Sequence, residues 1–196
     1  QKETLSENNL LEVDQWALGR LDVLNEKAIN AYKQIEFHTV FHAINQFCSV
    51  DLSAFYLDII KDRLYASAAN APERRAAQAV LHEILITLTK LMAPILSFTA
   101  EELWQSLPET LRGEERSIHL TTFSEVTRRG AALAEEWERL IEIRKWVSKE
   151  LEDKRALKTI GTSLEAKVII VALPKDYQIL KQRAAFLPTF FIVSQV

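Results

Sequence analysis

The spacing of apolar residues over 37–48 is the feature that most narrows what this chain can fold into. These residues recur at i, i+3, i+4 and i+7, which is the period of a helix that buries one broad face. The members are Phe37, Val40, Phe41, Ile44, Phe47 and Cys48. Only 4 glycines and 5 prolines interrupt the 196 residues, so we expect long helices joined by few, short loops.

The same period predicts further helices on both sides of this one. One covers roughly 11–35, and another begins near Asp51 and runs as far as Tyr65. After a turn of small residues at 66–71, Pro72 suits the first turn of a fourth helix, where its missing N–H costs nothing. These helices predict a bundle.

Two polar positions are interpreted as helix starts. Asp51 is the expected cap of the third helix, and Thr99 with Glu102 forms a capping box that opens a fifth. A further long helix is predicted from about Leu133 to Leu157.

The pattern changes towards the end of the chain. Residues 166–173 form a β-branched run typical of a strand, and 190–196 and the short piece 118–120 are also strand-like. We therefore predict a mainly α fold, with a helix bundle over 1–125 and a long helix plus the start of a small α+β unit over 126–196. The apolar final run and the non-methionine start indicate a piece of a longer protein.

No residue pattern predicts catalysis. The glycines are too scattered for a phosphate loop, and the His38 and His42 pair lacks a third metal ligand at a recognisable spacing. Glu101 and Glu102 suit a helix start, and Cys48 suits a buried structural thiol. We expect a non-catalytic chain that holds no metal or cofactor. The lack of a signal peptide or membrane span favours the cytoplasm.

Basic and aromatic side chains flank the predicted turn at 66–71. They are Lys61, Arg63, Tyr65, Arg74 and Arg75. Cations at adjoining helix ends can contact a phosphate backbone, and an aromatic ring can stack on an unpaired base. A solvated helix end with local ion pairs is the alternative, and the net charge of −3 is a weak argument against nucleic acid.

A second basic cluster lies on the predicted long helix. Its members are Arg139, Arg144, Lys145, Lys149, Lys154, Arg155 and Lys158. Acidic residues alternate with them, so a solvent face carrying salt bridges is the favoured interpretation.

Five sequence strings occur in the order typical of one enzyme family. DQWAL at 14–18 resembles the D-x-W-x-L that opens the anticodon-binding domain of the valyl, isoleucyl and leucyl group of class I aminoacyl-tRNA synthetases. DLSAFYLDIIKDRLY at 51–65 is more specific, because it resembles D-L-S-x-F-Y-L-D-x-x-K-D-R-x-Y of the bacterial isoleucyl member. RRAAQ at 74–78, APILSFTAEELW at 93–104 and GTSLEAKV at 161–168 are similar to later motifs of this family.

The resemblance implies a parent enzyme that joins isoleucine to its tRNA. It implies ATP with magnesium and a zinc ion for the full-length parent, which is expected to be a cytoplasmic monomer. The H-I-G-H, K-M-S-K-S and cysteine-rich zinc motifs are missing here. The chain is therefore expected to bind the anticodon stem and loop of isoleucine tRNA, without catalysing the reaction.

The resemblance also assigns roles to residues. It favours a position near RNA for Lys61, Arg63, Arg74 and Arg75, and a place in the bundle core for four aromatic residues. These are Trp16, Phe55, Tyr56 and Trp104. Two alternatives stay open: a helical scaffold or protein-interaction module without RNA binding, and the equivalent domain of a valyl or leucyl enzyme.

Overall fold

The computed structural model describes residues 10–112, 114–127 and 129–196. It divides into two compact units, one reaching to Ala131 and the other covering Ala132–Val196. Across the described ranges the regular structure is helical, with one isolated β-bridge and no strand. The predicted mainly α class is confirmed.

Eight helical segments and a short 3₁₀ turn at Ile118–Leu120 build the described part of the first unit. In chain order they are α1 (Glu12–Lys33), α2 (Phe37–Gln46), a π-helix (Phe47–Tyr56), α3 (Leu57–Ile59), α4 (Lys61–Tyr65), α5 (Pro72–Met92), α6 (Ser97–Ser106) and α7 (Glu109–Arg112). A 3₁₀ turn at Ala131–Leu133 lies at the boundary between the units. The second unit contains α8 (Ala134–Ala156), a 3₁₀ turn at Ser163–Glu165, α9 (Pro174–Gln182) and α10 (Leu187–Phe191).

Helix α1 packs against α2, the π-helix and α5. Trp16 meets Phe55 edge to face, with ring centroids 4.6 Å apart. Tyr56 is fully buried, and Trp104 fills a separate small cluster with Ala100 and Ile118. The predicted core positions of Trp16, Phe55, Tyr56 and Trp104 are confirmed.

The apolar face of α2 is narrower than its sequence predicts. Val40 and Phe47 are buried, but Phe37 is 48% exposed and Phe41 is 57% exposed. The helix packs chiefly on α1, and one neighbouring helix covers only part of a broad stripe.

The prediction that Asp51 caps a helix is wrong. The chain continues from α2 through the π-helix into α3 without leaving helical geometry, whereas a capping residue needs a non-helical backbone. The Asp51 carboxylate instead receives two hydrogen bonds from the Arg20 guanidinium, at 3.2 and 3.1 Å.

The predicted capping box at Thr99 is also wrong. Helix α6 begins two residues earlier, at Ser97, and its capping residue Leu96 makes no side-chain bond. Glu101 holds a neighbouring segment instead, since its carboxylate accepts hydrogen bonds from the Ser117 hydroxyl and the Ile118 N–H.

The predicted α+β character of the second unit is not observed. Residues 166–173 form no strand, and their pairing is a single parallel bridge between Lys167 and Gln195 with a 2.9 Å bond from Val168 N–H to the Gln195 carbonyl. A β-branched run becomes a strand only where a neighbour supplies a ladder of hydrogen bonds, and one bridge is not a ladder.

Neither of the other two strand predictions corresponds to a strand: 118–120 is a helical turn, and 190–196 passes from the end of α10 through a turn to the single bridge at Gln195. Residues 118–120 form a 3₁₀ turn that the Ser117 hydroxyl caps by accepting from His119 N–H. Leu187–Phe191 is a helix with Pro188 in its first turn, and Phe190 packs edge to face on Trp137 at 5.9 Å. Ile118 and Phe190 are buried although neither lies in a strand. A short apolar run can bury its side chains in a helical turn or in a strand, and its periodicity alone does not distinguish the two.

None of the helices in the described ranges combines the length and the apolar character needed to cross a membrane.

Candidate nucleic-acid interface

The predicted RNA-binding residues lie on both sides of the turn that joins α4 to α5. Helix α4 ends at Tyr65, and α5 begins at Pro72, which occupies the first helical position as predicted. The two helices pack against each other, so the residues that flank the turn belong to one surface region.

Two of the predicted cations hold the turn from within. The Arg74 guanidinium donates to the Ser67 carbonyl at 2.9 Å, and the Arg63 guanidinium donates to the Glu73 carbonyl at 2.7 Å. Ser67 follows the end of α4, so Arg74 satisfies a carbonyl without a helical partner, whereas Glu73 lies in the first turn of α5, so Arg63 ties α4 to the start of α5.

Arg63 also closes a buried network with Asp14. Its two terminal nitrogens donate to the two Asp14 oxygens at 2.9 and 2.8 Å, and the Tyr56 hydroxyl donates to the same carboxylate at 2.8 Å. The side chain of Arg63 is 12% exposed and that of Asp14 is fully buried. Burial and the Asp14 charge raise the pKa of Tyr56, so its hydroxyl stays protonated as a donor. Arg63 is therefore committed to the fold.

The other three predicted residues face solvent. Tyr65 is 84% exposed, Arg75 is exposed on the second turn of α5, and the Lys61 side chain is 63% exposed. A 2.6 Å hydrogen bond to Asp58 raises the pKa of Lys61, which stays charged at neutral pH. An exposed ring with two exposed cations can stack on a base and contact phosphate oxygens.

The groups tested for catalysis have other surroundings. His38 and His42 are exposed on α2, and across the described part of the chain no three His, Cys, Asp or Glu side chains cluster to hold a metal ion. Hydrogen bonds from Gln105 and Ser117 lower the pKa of Glu101. Cys48 is half-buried, and burial raises the pKa of its thiol.

The basic cluster on α8 divides by residue type. Arg139 pairs with Asp176 and Glu142, and Arg155 pairs with Glu152, as the salt-bridge interpretation predicts. Four lysines of the cluster have no ion-pair partner within the ranges the structure describes: Lys145, Lys149, Lys154 and Lys158. Sequence alone gives equal weight to arginines and lysines here, because the acidic partners alternate with both.

Comparison with known proteins identifies a common family. The model of the anticodon-binding domain of tRNA ligase matches residues 14–170. Isoleucine–tRNA ligase of Geobacter sulfurreducens is 48% identical over 191 residues, covering 96% of this chain and 20% of that protein. The enzyme of the same name from Carboxydothermus hydrogenoformans is 44% identical over 198 residues, covering 100% and 21%. That of Kosmotoga olearia is 46% identical over 191 residues, covering 95% and 21%. The chain spans about a fifth of the length of these relatives.

Proposed function

The chain belongs to the family of anticodon-binding domains of tRNA ligases, and on that basis we propose that it binds the anticodon stem and loop of isoleucine tRNA. The observation that carries the proposal is the family match over residues 14–170 together with relatives named as isoleucine–tRNA ligases. These relatives support neither a scaffold without RNA nor a valyl or leucyl enzyme.

The whole protein is, in this proposal, an isoleucine–tRNA ligase that joins isoleucine to its tRNA. ATP with magnesium and a zinc ion belong to that whole protein, which acts as a cytoplasmic monomer. No residue of this chain is proposed to bind ATP, magnesium or zinc. This chain holds one end of the tRNA so that the other end reaches the catalytic domain.

The exposed residues beside the α4–α5 turn supply the chemistry of RNA binding. Tyr65 stacks on an unpaired base of the loop, and Lys61 and Arg75 contact backbone phosphates, which set position without reading sequence. Arg63 and Arg74 contribute indirectly, since their hydrogen bonds fix the shape of the turn that presents Tyr65.

The test is tRNA binding by exposed-residue variants of this chain. Lys61→Glu combined with Arg75→Glu is expected to weaken binding of every tRNA. The slope of log K against log salt concentration should fall in magnitude by about 2, roughly one for each lost phosphate contact. Tyr65→Ala is expected to weaken binding at least about fivefold, the lower limit for a lost base stack.

A charge-reversal control comes from α1. Lys27 and Lys33 are exposed, and Lys27→Glu with Lys33→Glu changes the same total charge, about 20 and 28 Å along the helix from Asp14. If the Lys61 and Arg75 variant binds tRNA as the Lys27 and Lys33 variant does, the turn is not the binding surface. If the unmodified chain does not bind tRNA at all, the proposed function is wrong.

A further inference from the structure

A groove in the second unit lies between the later half of α8 and the segment 159–171. It encloses about 820 Å³, and its floor is apolar, formed by Ile143, Val147 and Leu151. Trp146, three lysines and two glutamates lie around this floor. The groove therefore offers an apolar floor with charged groups above it.

Trp146 is the most unusual residue of this groove. The chain has four tryptophans, and the other three are 6%, 2% and 0% exposed, whereas Trp146 is 53% exposed. The guanidinium of Arg139 lies over its ring, 4.9 Å from the centroid, and Asp176 fixes that guanidinium with bonds of 2.8 and 2.7 Å. The indole is thus exposed and held in position, as a stacking platform must be.

The lysines of the groove are free to bind a ligand. Lys149, Lys154 and Lys167 are exposed, and none has an ion-pair partner within 4 Å among the residues that the structure describes. Of the two glutamates, Glu165 already accepts a hydrogen bond from Gly161 N–H at 2.8 Å. The second unit as a whole carries eleven basic and nine acidic residues.

The non-helical residues 169–171 add unpaired backbone to the same groove. Val168 and Ile170 are half-buried, while Ile169 is 80% exposed and Val171 is 95% exposed. Within the described ranges, the backbone groups of 169–171 make no hydrogen bond. Backbone amides and carbonyls without partners can pair with the edges of unstacked bases.

We infer that this groove binds an unpaired strand of RNA. One base stacks on Trp146, and Lys149, Lys154 and Lys167 contact successive phosphates. The excess of lysine over glutamate favours a polyanion over an apolar peptide as the occupant. The inference rests on the proposed function, because it assigns a second contact surface to the same tRNA.

The position of Trp146 makes a direct test available. Because the other tryptophans are buried, quenching of intrinsic fluorescence by added isoleucine tRNA, or by a short unstructured oligouridine, reports on Trp146. We expect quenching that saturates with RNA and is absent from Trp146→Phe. We also expect Trp146→Ala to weaken oligouridine binding at least about fivefold.

A triple charge reversal tests the lysines. The variant that combines Lys149→Glu, Lys154→Glu and Lys167→Glu is expected to bind RNA with a shallower slope of log K against log salt concentration. The magnitude of that slope should fall by about 2, since each phosphate of a single strand contributes about 0.7. The control reverses Lys145, Lys175 and Lys181, which are exposed in the same unit but do not line the groove. Circular dichroism is the check that both variants keep their helices.

The outcomes separate this inference from the proposed function. Binding of tRNA without quenching of Trp146, and with equal effects of the two triple variants, overturns the groove and leaves the proposed function standing. Absence of tRNA binding overturns the proposed function. If oligouridine also fails to quench Trp146, the inference that the groove binds RNA is wrong as well. Quenching by an apolar peptide but not by RNA would also contradict that inference.

Discussion

Asp14 joins the start of α1 to the helices packed against it. Its carboxylate accepts four hydrogen bonds: from the Tyr56 hydroxyl, from both terminal nitrogens of Arg63, and from the Leu11 N–H that precedes α1. A buried carboxylate is tolerated only when its charge is paired and its oxygens are satisfied. One side chain thereby ties α1 to the π-helix and α4.

Loss of either partner is expected to destabilise the fold to different degrees. Arg63→Ala leaves the fully buried Asp14 charge unpaired and should lower the free energy of unfolding by about 3–5 kcal/mol. Tyr56→Phe removes one bond to a charged group and should cost about 1.5–3 kcal/mol. Urea unfolding measures both. If Arg63→Ala costs no more than the exposed control Lys61→Ala, the network has no structural role.

Asp22 is expected to make the stability of the fold depend on pH. Burial alone raises the pKa of Asp22, but hydrogen bonds from Arg129 and the charge of its guanidinium outweigh burial and hold that pKa below its usual value. A carboxylate with a lowered folded-state pKa adds stability above its ordinary pKa of about 3.9, and this stability is lost as the pH falls through the lower value.

Asp22→Asn is therefore expected to be less stable than the unmodified chain at pH 7, by about 3 kcal/mol. The difference should begin to shrink as the pH falls below about 4, because Asp22 is then protonated in the unfolded chain, and the shrinkage is complete below the lowered folded-state pKa. Urea midpoints over a series of pH values measure this. A difference that stays constant down to about pH 2 would contradict the assignment.

At the scale of elements, two glycines allow the connector after α7 to lie against α1. A side chain on Gly19 would place its Cβ 2.6 Å from the Arg129 carbonyl oxygen, and one on Gly130 would place it 2.8 Å from that of Gln15. Gly130 also has a φ of +66°, which L residues rarely adopt. The backbones can approach this closely only without side chains.

Gly130→Ala is expected to destabilise the chain by about 1–3 kcal/mol, through the positive φ and the contact with Gln15 together. Gly161→Ala is the control, because its nearest neighbour is the flexible carboxylate of Glu165 at 3.1 Å. We expect that control to stay within about 0.5 kcal/mol. Equal thermal midpoints for the two variants would argue against a required close approach.

The sequence predicts the long helices well and the short apolar runs poorly. Helix α8, predicted over 133–157, spans Ala134–Ala156, because a long helix repeats its own period many times. The runs at 118–120 and 190–196 are too short to show a period, and their packing partners decide their structure.

The candidate site divides for a similar reason. Sequence places Lys61, Arg63, Tyr65, Arg74 and Arg75 beside one turn, but it does not indicate which cation is used inside the fold. The partner of Arg63 is Asp14, which lies 49 residues away in the chain. Local ion pairs with Asp62 or Glu73 carboxylates are the natural expectation from spacing, and tertiary contact replaces them with a distant one. A role near RNA stays a prediction for all five residues.

At the scale of the whole molecule, charge is distributed unevenly. Residues 1–131 carry 13 basic and 18 acidic residues, whereas residues 132–196 carry 11 and 9. A net charge of −3 therefore conceals a basic second unit. Binding to RNA by such a chain must rely on local cations, and we expect it to weaken steeply as salt is raised.

The most direct test of the central claim compares two tRNAs with the unmodified chain at one moderate salt concentration. One is isoleucine tRNA, and the other is the same molecule with a changed anticodon. The account predicts tighter binding of the first, at least about fivefold, which corresponds to about 1 kcal/mol for recognition of a single base. Equal affinity for both would contradict the claim that this chain reads the anticodon.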